Sequence, residues 1–168
     1  MNARYIGRHM NATWIPVRPA GVAAGPTHTD PVILLRGVSD DRVVGLPLGA
    51  AEAGSIVLAL EGAVSNEPQT HDLFVTLFDL HGLQPRNVMI YSSDGLQRRA
   101  RLSYSDRHGN YSLRLRPSDA VALAVRMDVP IYLHVSLFTS EHGATPERVE
   151  DDGYAYLPLD GAQTTRGN

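Results

Sequence analysis

The chain has 168 residues, 43% of them apolar and 20% charged, with a formal net charge of −3. This is the composition of an ordinary globular protein, long enough for one domain with a real core. The absence of cysteine excludes a disulfide framework, a thiolate metal site and a cysteine nucleophile. The acidic balance argues against general nucleic-acid affinity, so any such site must be a local basic patch. No apolar run is long enough to read as a membrane span and the N-terminus lacks the apolar core of a secretory signal, so the expected compartment is the cytoplasm.

In chain order, residues 1–29 read as an N-terminal segment with one short strand at Thr13 to Val17 and a loop from Pro19 to Pro31. Met10 is an alternative start. Val32 to Arg36 and Arg42 to Leu48 suggest a hairpin around Ser39-Asp40-Asp41. Pro47 cannot donate a ladder hydrogen bond, which places it at a strand end or sheet edge. Gly49 to Leu60 reads as a helix with Ile56, Val57 and Leu60 on its core face. Glu52 lies one turn before Ile56 on that face. It is either a first-turn acid with its head in water or a pocket carboxylate.

Thr70 is the expected cap of a second helix, whose Leu73, Phe74, Leu77 and Phe78 form an apolar stripe. His71 and Asp72 fall in its first turn, where both also make structural sense. A strand at Val88 to Tyr91 and a hairpin with arms Leu96 to Tyr104 and Tyr111 to Leu115 follow. If Tyr104 sits opposite Tyr111, alternation puts Arg101 against Arg114 and Arg99 against Arg116, and like charges in register repel. Something anionic is then expected over that face: Glu52, Asp72 or Asp119, a partner chain, or a phosphate. The alternative is a solvated face with the arginines splayed apart.

Arg116 to Leu133 organises the rest. Pro117, Ser118 as N-cap and Asp119 mark a helix start. Ala120 to Met127 is apolar almost all round apart from Arg126, the pattern of a helix covered on most sides. Pro130 ends it, and Ile131 to Val135 looks like a strand. Residues 139–168 read as a flexible tail in which Glu150-Asp151-Asp152 is a solvated charge run. This element order predicts one α+β domain over residues 30–138, a mixed or mainly antiparallel twisted sheet with helices packed on it.

Glu52, Asp72 and Asp119 each open a predicted helix. If those starts converge, they make an acidic cluster with His71 as a general base and Arg116 as a phosphate clamp. No single element has metal-ligand spacing, and there is no Gly-rich phosphate loop and no Gly-x-Ser-x-Gly elbow. The same residues suit a purely structural ion-pair network.

Three motifs in order, Gly49-Ala50-Ala51-Glu52-Ala53 running into Leu60-Glu61-Gly62, Thr70-His71-Asp72-Leu73, and Arg116-Pro117-Ser118-Asp119-Ala120 followed by Pro130-Ile131-Tyr132, resemble the bifunctional nuclease domain family. The chain departs from it in the second strand, with Gly45 and Pro47 where members usually carry a Pro and a Trp. The resemblance implies hydrolysis of DNA and RNA with low sequence specificity. Glu52, Asp72 and Asp119 would hold Mg²⁺ or Mn²⁺, His71 would activate water, and Arg116 with Arg99, Arg101 and Arg114 would hold phosphates. It further implies a homodimer or other homo-oligomer. The rival expectation is a non-catalytic dimeric module that recognises a protein or small anion through the arginine face.

Overall fold

The computed structural model describes residues 13–24, 30–63, 67–92, 97–138 and 155–158. Its elements are β1 (Trp14–Ala24), β2 (Val32–Gly37), β3 (Val43–Pro47), α1 (Ala50–Leu60), α2 (Thr70–Leu80), β4 (Gln84–Ser92), β5 (Arg98–Ser105), β6 (Asn110–Leu115), α3 (Pro117–Met127), β7 (Ile131–His134), a 3-10 turn (Val135–Phe138) and β8 (Ala155–Pro158). One sheet runs β3-β2-β1-β7-β4-β5-β6, with β8 added beside β1. Every pairing is antiparallel except β4 with β7. The domain is therefore α+β. No helix of the described residues is long and apolar enough to cross a membrane.

The parallel pair is what calls for α3. Parallel neighbours need a long crossover, and here β5, β6 and α3 together carry the chain from β4 back to β7. The inner face of the sheet follows from alternation. Val88 and Ile90 of β4, Ala100 and Leu102 of β5, and Ile131 and Leu133 of β7 are buried, and α3 lies over β4 and β5. Ala120, Val121, Ala122, Leu123 and Ala124 are all at most 3% exposed, as the nearly all-round apolar pattern predicts. Three alanines in that run let the helix approach both the sheet and its two neighbouring helices closely.

Arg98 donates to the Gly45 carbonyl at 2.8 Å, although β5 and β3 stand five strands apart in the sheet order. A flat sheet would separate them by about 24 Å. The sheet must therefore curl, and its two halves wrap around the helical layer. The Arg98 guanidinium lies deep enough that burial lowers its pKa from the ordinary arginine value.

Several sequence expectations need correction. β1 runs to Ala24, through the stretch read as a loop; a bulge between Pro19 and Gly21 absorbs the irregularity, and Gly21 takes φ 148° there. The N-caps are Gln69 for α2 and Arg116 for α3, one or two residues before the expected Thr70 and Ser118. Pro117 takes the first helical position, where its missing N–H costs nothing. Asp128, in a left-handed conformation at φ 51°, ends α3 ahead of Pro130. Ala155–Pro158, within the segment read as a tail, pairs with Gly21 to Ala24 along the edge of β1 that β7 leaves open. On α2 only Phe78 is buried; Leu73, Phe74 and Leu77 are exposed.

The predicted β5–β6 register is observed, with Tyr104 opposite Tyr111 and Arg101 opposite Arg114. The two tyrosines stack at 5.3 Å, and Phe78 meets Tyr104 edge-on. Pairing ends at Ala100–Leu115, so Arg116 leaves the sheet to cap α3.

Because Ala120 to Ala124 of α3 are enclosed, that stretch tolerates no added volume. Ala122→Leu is expected to lower stability by about 1–3 kcal/mol, read as a shift of the urea midpoint at unchanged slope.

Candidate active site

α3 packs against both α1 and α2, and this brings the first turns of the three helices to one place. Glu52 stands in the first turn of α1. Its carboxylate folds back over the helix start so closely that a Cβ on Gly49 would collide with it, so the glycine makes room for that carboxylate. His71 is the second residue of α2, and Asp119 falls in the first turn of α3.

Arg116 joins the two carboxylates. Its Nε donates to Asp119 Oδ2 at 2.8 Å, its Nη2 to Oδ1 at 3.0 Å, and its Nη1 lies 3.3 Å from Glu52 Oε1. These contacts, the Asp119 hydrogen bond foremost, raise the Arg116 pKa above its ordinary value. His71 Nε2 lies 3.5 Å from Asp119 Oδ1, and Nδ1 lies 3.3 Å from Ser55 Oγ. Glu52, Ser55, His71, Arg116 and Asp119 line a cleft of about 490 Å³ whose apolar wall includes Phe74 and Leu115. His71, Glu52 and Asp119 have side chains 15%, 23% and 24% exposed, against 68% for Arg116. The acids and the imidazole thus sit inside and the guanidinium stands at the mouth.

The same serine leads into a second network. Arg126, 9% exposed, donates to Asp72 Oδ1 at 2.6 Å, to Gln69 Oε1 at 2.9 Å, and to the Ser55 hydroxyl and carbonyl at 3.0 and 3.2 Å. It also reaches the Ala122 carbonyl in its own helix. Asp72 Oδ2 accepts the Gln69 backbone N–H at 2.8 Å. The Arg126 hydrogen bond first, and the Gln69 N–H second, hold the Asp72 carboxyl below the ordinary range. Arginine only donates, so Ser55 Oγ accepts from Arg126. Its own proton is then free to point at His71 Nδ1, which leaves Nε2–H directed to Asp119. The chain Glu52, Arg116, Asp119, His71, Ser55, Arg126, Asp72 is continuous across three helices.

This geometry separates the expected acidic trio. Glu52 and Asp119 share a guanidinium, while Asp72 is bound to Arg126 and its own helix start. Among the described residues no three His, Cys, Asp or Glu side chains are placed to hold a metal ion. A hard divalent cation needs several oxygens converging at about 2.0–2.6 Å. Here Arg116 stands between two of the three candidates and the third is committed elsewhere, so the set does not fit a cation as it stands. Arg101 and Arg114 lie on the outer face of the sheet, with Arg99 alternating alongside Arg101 on β5, and none of the three lines the cleft.

Sequence reasoning missed Arg126 and Ser55. The signal for Arg126 was present as the lone charge in an otherwise apolar helix, a residue that must carry partners inward if the helix is covered. Ser55 had no such signal. It lies three residues after Glu52 on the same side of α1, and that position gains meaning only when α2 and α3 are docked.

Removing Arg126 strands several buried acceptors. Arg126→Ala is expected to cost about 2–3 kcal/mol, less than a fully buried pair because Asp72 is 39% exposed. Asp72 has a folded-state pKa below its ordinary 3.8. Its contribution is therefore full above that value and is lost as pH falls through the lower folded one. Asp72→Asn should be less stable than the native chain at neutral pH and equal to it in strong acid, measured by urea midpoints along a pH series.

The bifunctional nuclease domain model matches residues 33–145. Two proteins from strains of Mycobacterium tuberculosis, the uncharacterized proteins MT1877 and Rv1829, are each 32% identical over 136 residues, 81% of this chain and 81% of theirs. The match spans all three helix starts that build the cleft, and with it the chain belongs to the bifunctional nuclease domain family.

Proposed function

We propose that this cleft hydrolyses phosphodiester bonds of DNA and RNA with little sequence preference. The observation that carries the reading is the convergence of an imidazole, two carboxylates and an exposed arginine from three separate helices on one cleft. Arg116 would neutralise charge on the phosphate oxygens, which grows as the attacking water approaches phosphorus. His71 would take the proton of that water. Its two ring contacts, 3.3 and 3.5 Å, are long for hydrogen bonds, so the ring can turn onto a water. Asp119 would orient His71 and stabilise the imidazolium that forms. Glu52 would hold Arg116 in place from the opposite side. These groups address the phosphate backbone rather than base edges, which is why no strong sequence preference is expected.

The same closed network would also suit a non-catalytic module, because each charge already has a partner. Purified protein and single-stranded DNA and RNA separate the two. His71→Ala is expected to lower cleavage by about 10²-fold or more while leaving the unfolding midpoint close to native, with partial rescue by added imidazole. As Arg116 occupies the place a cation would need, EDTA is expected to leave the rate unchanged. Loss of cleavage in EDTA would mean that Mg²⁺ or Mn²⁺ displaces Arg116 from Glu52 and Asp119. Absence of cleavage by the native chain would leave the binding module in its place.

We further propose a homodimer formed over α2 and β6. Leu73, Phe74, Leu77 and Leu80 on α2, with Tyr111 and Leu113 on β6, are 39–74% exposed. β6 is also a sheet edge, whose open backbone groups an identical edge strand can satisfy. Leu77→Glu is expected to give a monomer by sedimentation equilibrium where the native chain sediments as a dimer.

A further inference from the structure

Every Asp and Glu in the described part of this domain lies in a helix, turn or loop, and every charged residue of strands β1 to β7 is an arginine. An acidic protein thus carries a sheet with no acidic side chain in it. The helices cover one face of that sheet. Cross-strand register fixes what occupies the other.

One lateral row reads Pro16, Tyr132, Met89, Arg101, Arg114 across β1, β7, β4, β5 and β6. The next pairs Trp14 with His134 and Tyr91 with Arg99. Arg101 and Arg114 are exposed and directly opposed, while Tyr91 and Tyr132 are half-buried with a face to solvent. Arg101 Nε donates to Tyr91 Oη at 3.2 Å, which sets a guanidinium beside an aromatic ring. A second opposed pair, Arg18 with Arg36, lies toward β2, where Arg36 is 3.9 Å from Asp41. At the β5–β6 end the opposed arginines stand beside the aromatic side chains of β4 and β7. Two like charges in register cost stability unless an anion lies between them.

We infer that this outer face docks single-stranded nucleic acid, with Arg101 and Arg114 on adjacent phosphates and Tyr91 and Tyr132 stacking unpaired bases. Aromatic rings interleaved with arginines on an open sheet suit splayed bases. A small anion would use the arginines but not the rings, and a duplex keeps its bases stacked out of reach of the tyrosines. Arg114 stands two residues before Arg116, so the docking face ends at the sheet edge where the cleft begins. The inference extends the nucleic-acid reading of the cleft to a second surface, yet it is measured by binding and not by cleavage.

The probe is a fluorescein-labelled oligothymidylate, followed by anisotropy over a salt series, with a duplex of equal length beside it. The native chain should bind the single strand more tightly than the duplex. Arg101→Gln with Arg114→Gln should weaken single-strand binding at least tenfold and reduce the salt slope by about 1.4, the value for two single-strand phosphates, at an unchanged or raised unfolding midpoint. Tyr132→Leu should weaken binding about tenfold with the slope unchanged. A native chain that binds the single strand but never cleaves it would sink the hydrolytic reading and leave this one standing. Native-like affinity and slope in the double arginine variant, no binding by the native chain, or a duplex bound as tightly as the single strand would each overturn it.

Discussion

The position of Arg126 is the constraint from which the helical layer follows. Its guanidinium is almost wholly enclosed, and an enclosed charge with unmet hydrogen-bond donors would be prohibitive. It is satisfied only where α1 offers the Ser55 hydroxyl and carbonyl while α2 offers Gln69 and Asp72. Apolar packing alone would hold these helices together over a range of rotations. The directional demands of one guanidinium select the rotation in which the three first turns meet, so the cleft depends on a residue outside it.

The sheet contributes a different kind of constraint. Parallel pairing of β4 with β7 requires the chain to leave the sheet, cross it and return, and α3 is the part of the crossover that carries the Arg-Pro-Ser-Asp start. Arg116 belongs to neither element. At the junction it has left the β6 register but has not entered the helix, and this lets its side chain swing from the sheet to the two carboxylates.

Much of this was legible in the residues. Alternation around Tyr104 and Tyr111 gave the hairpin register and the opposed arginines, and the all-round apolar run gave the buried helix. The condition set from sequence was that the helix starts carrying Glu52, Asp72 and Asp119 converge; the three starts do meet, but Glu52, His71 and Asp119 reach the cleft while Asp72 turns to Arg126. Asp72 was not separable from them by sequence, because a first-turn acid looks the same whether it faces a cleft or a buried arginine. β1 was cut short by its prolines, since local rules cannot anticipate a bulge that two flanking strands make tolerable. The exposed side of α2 was misjudged for a related reason. An apolar stripe shows that a face seeks cover, without saying whether the cover comes from this chain.

Ser55 Oγ contacts both His71 and Arg126, and this joint has a thermodynamic corollary. Whatever turns the imidazole in the cleft changes what the hydroxyl offers to the guanidinium, so occupancy at the mouth and cohesion of the helical layer cannot vary independently. Linkage makes the effect mutual: an anion that favours the His71 orientation bonded to Ser55 tightens the helix junction, one that turns the ring away loosens it, and in either case the junction acts back on the anion by the same free energy.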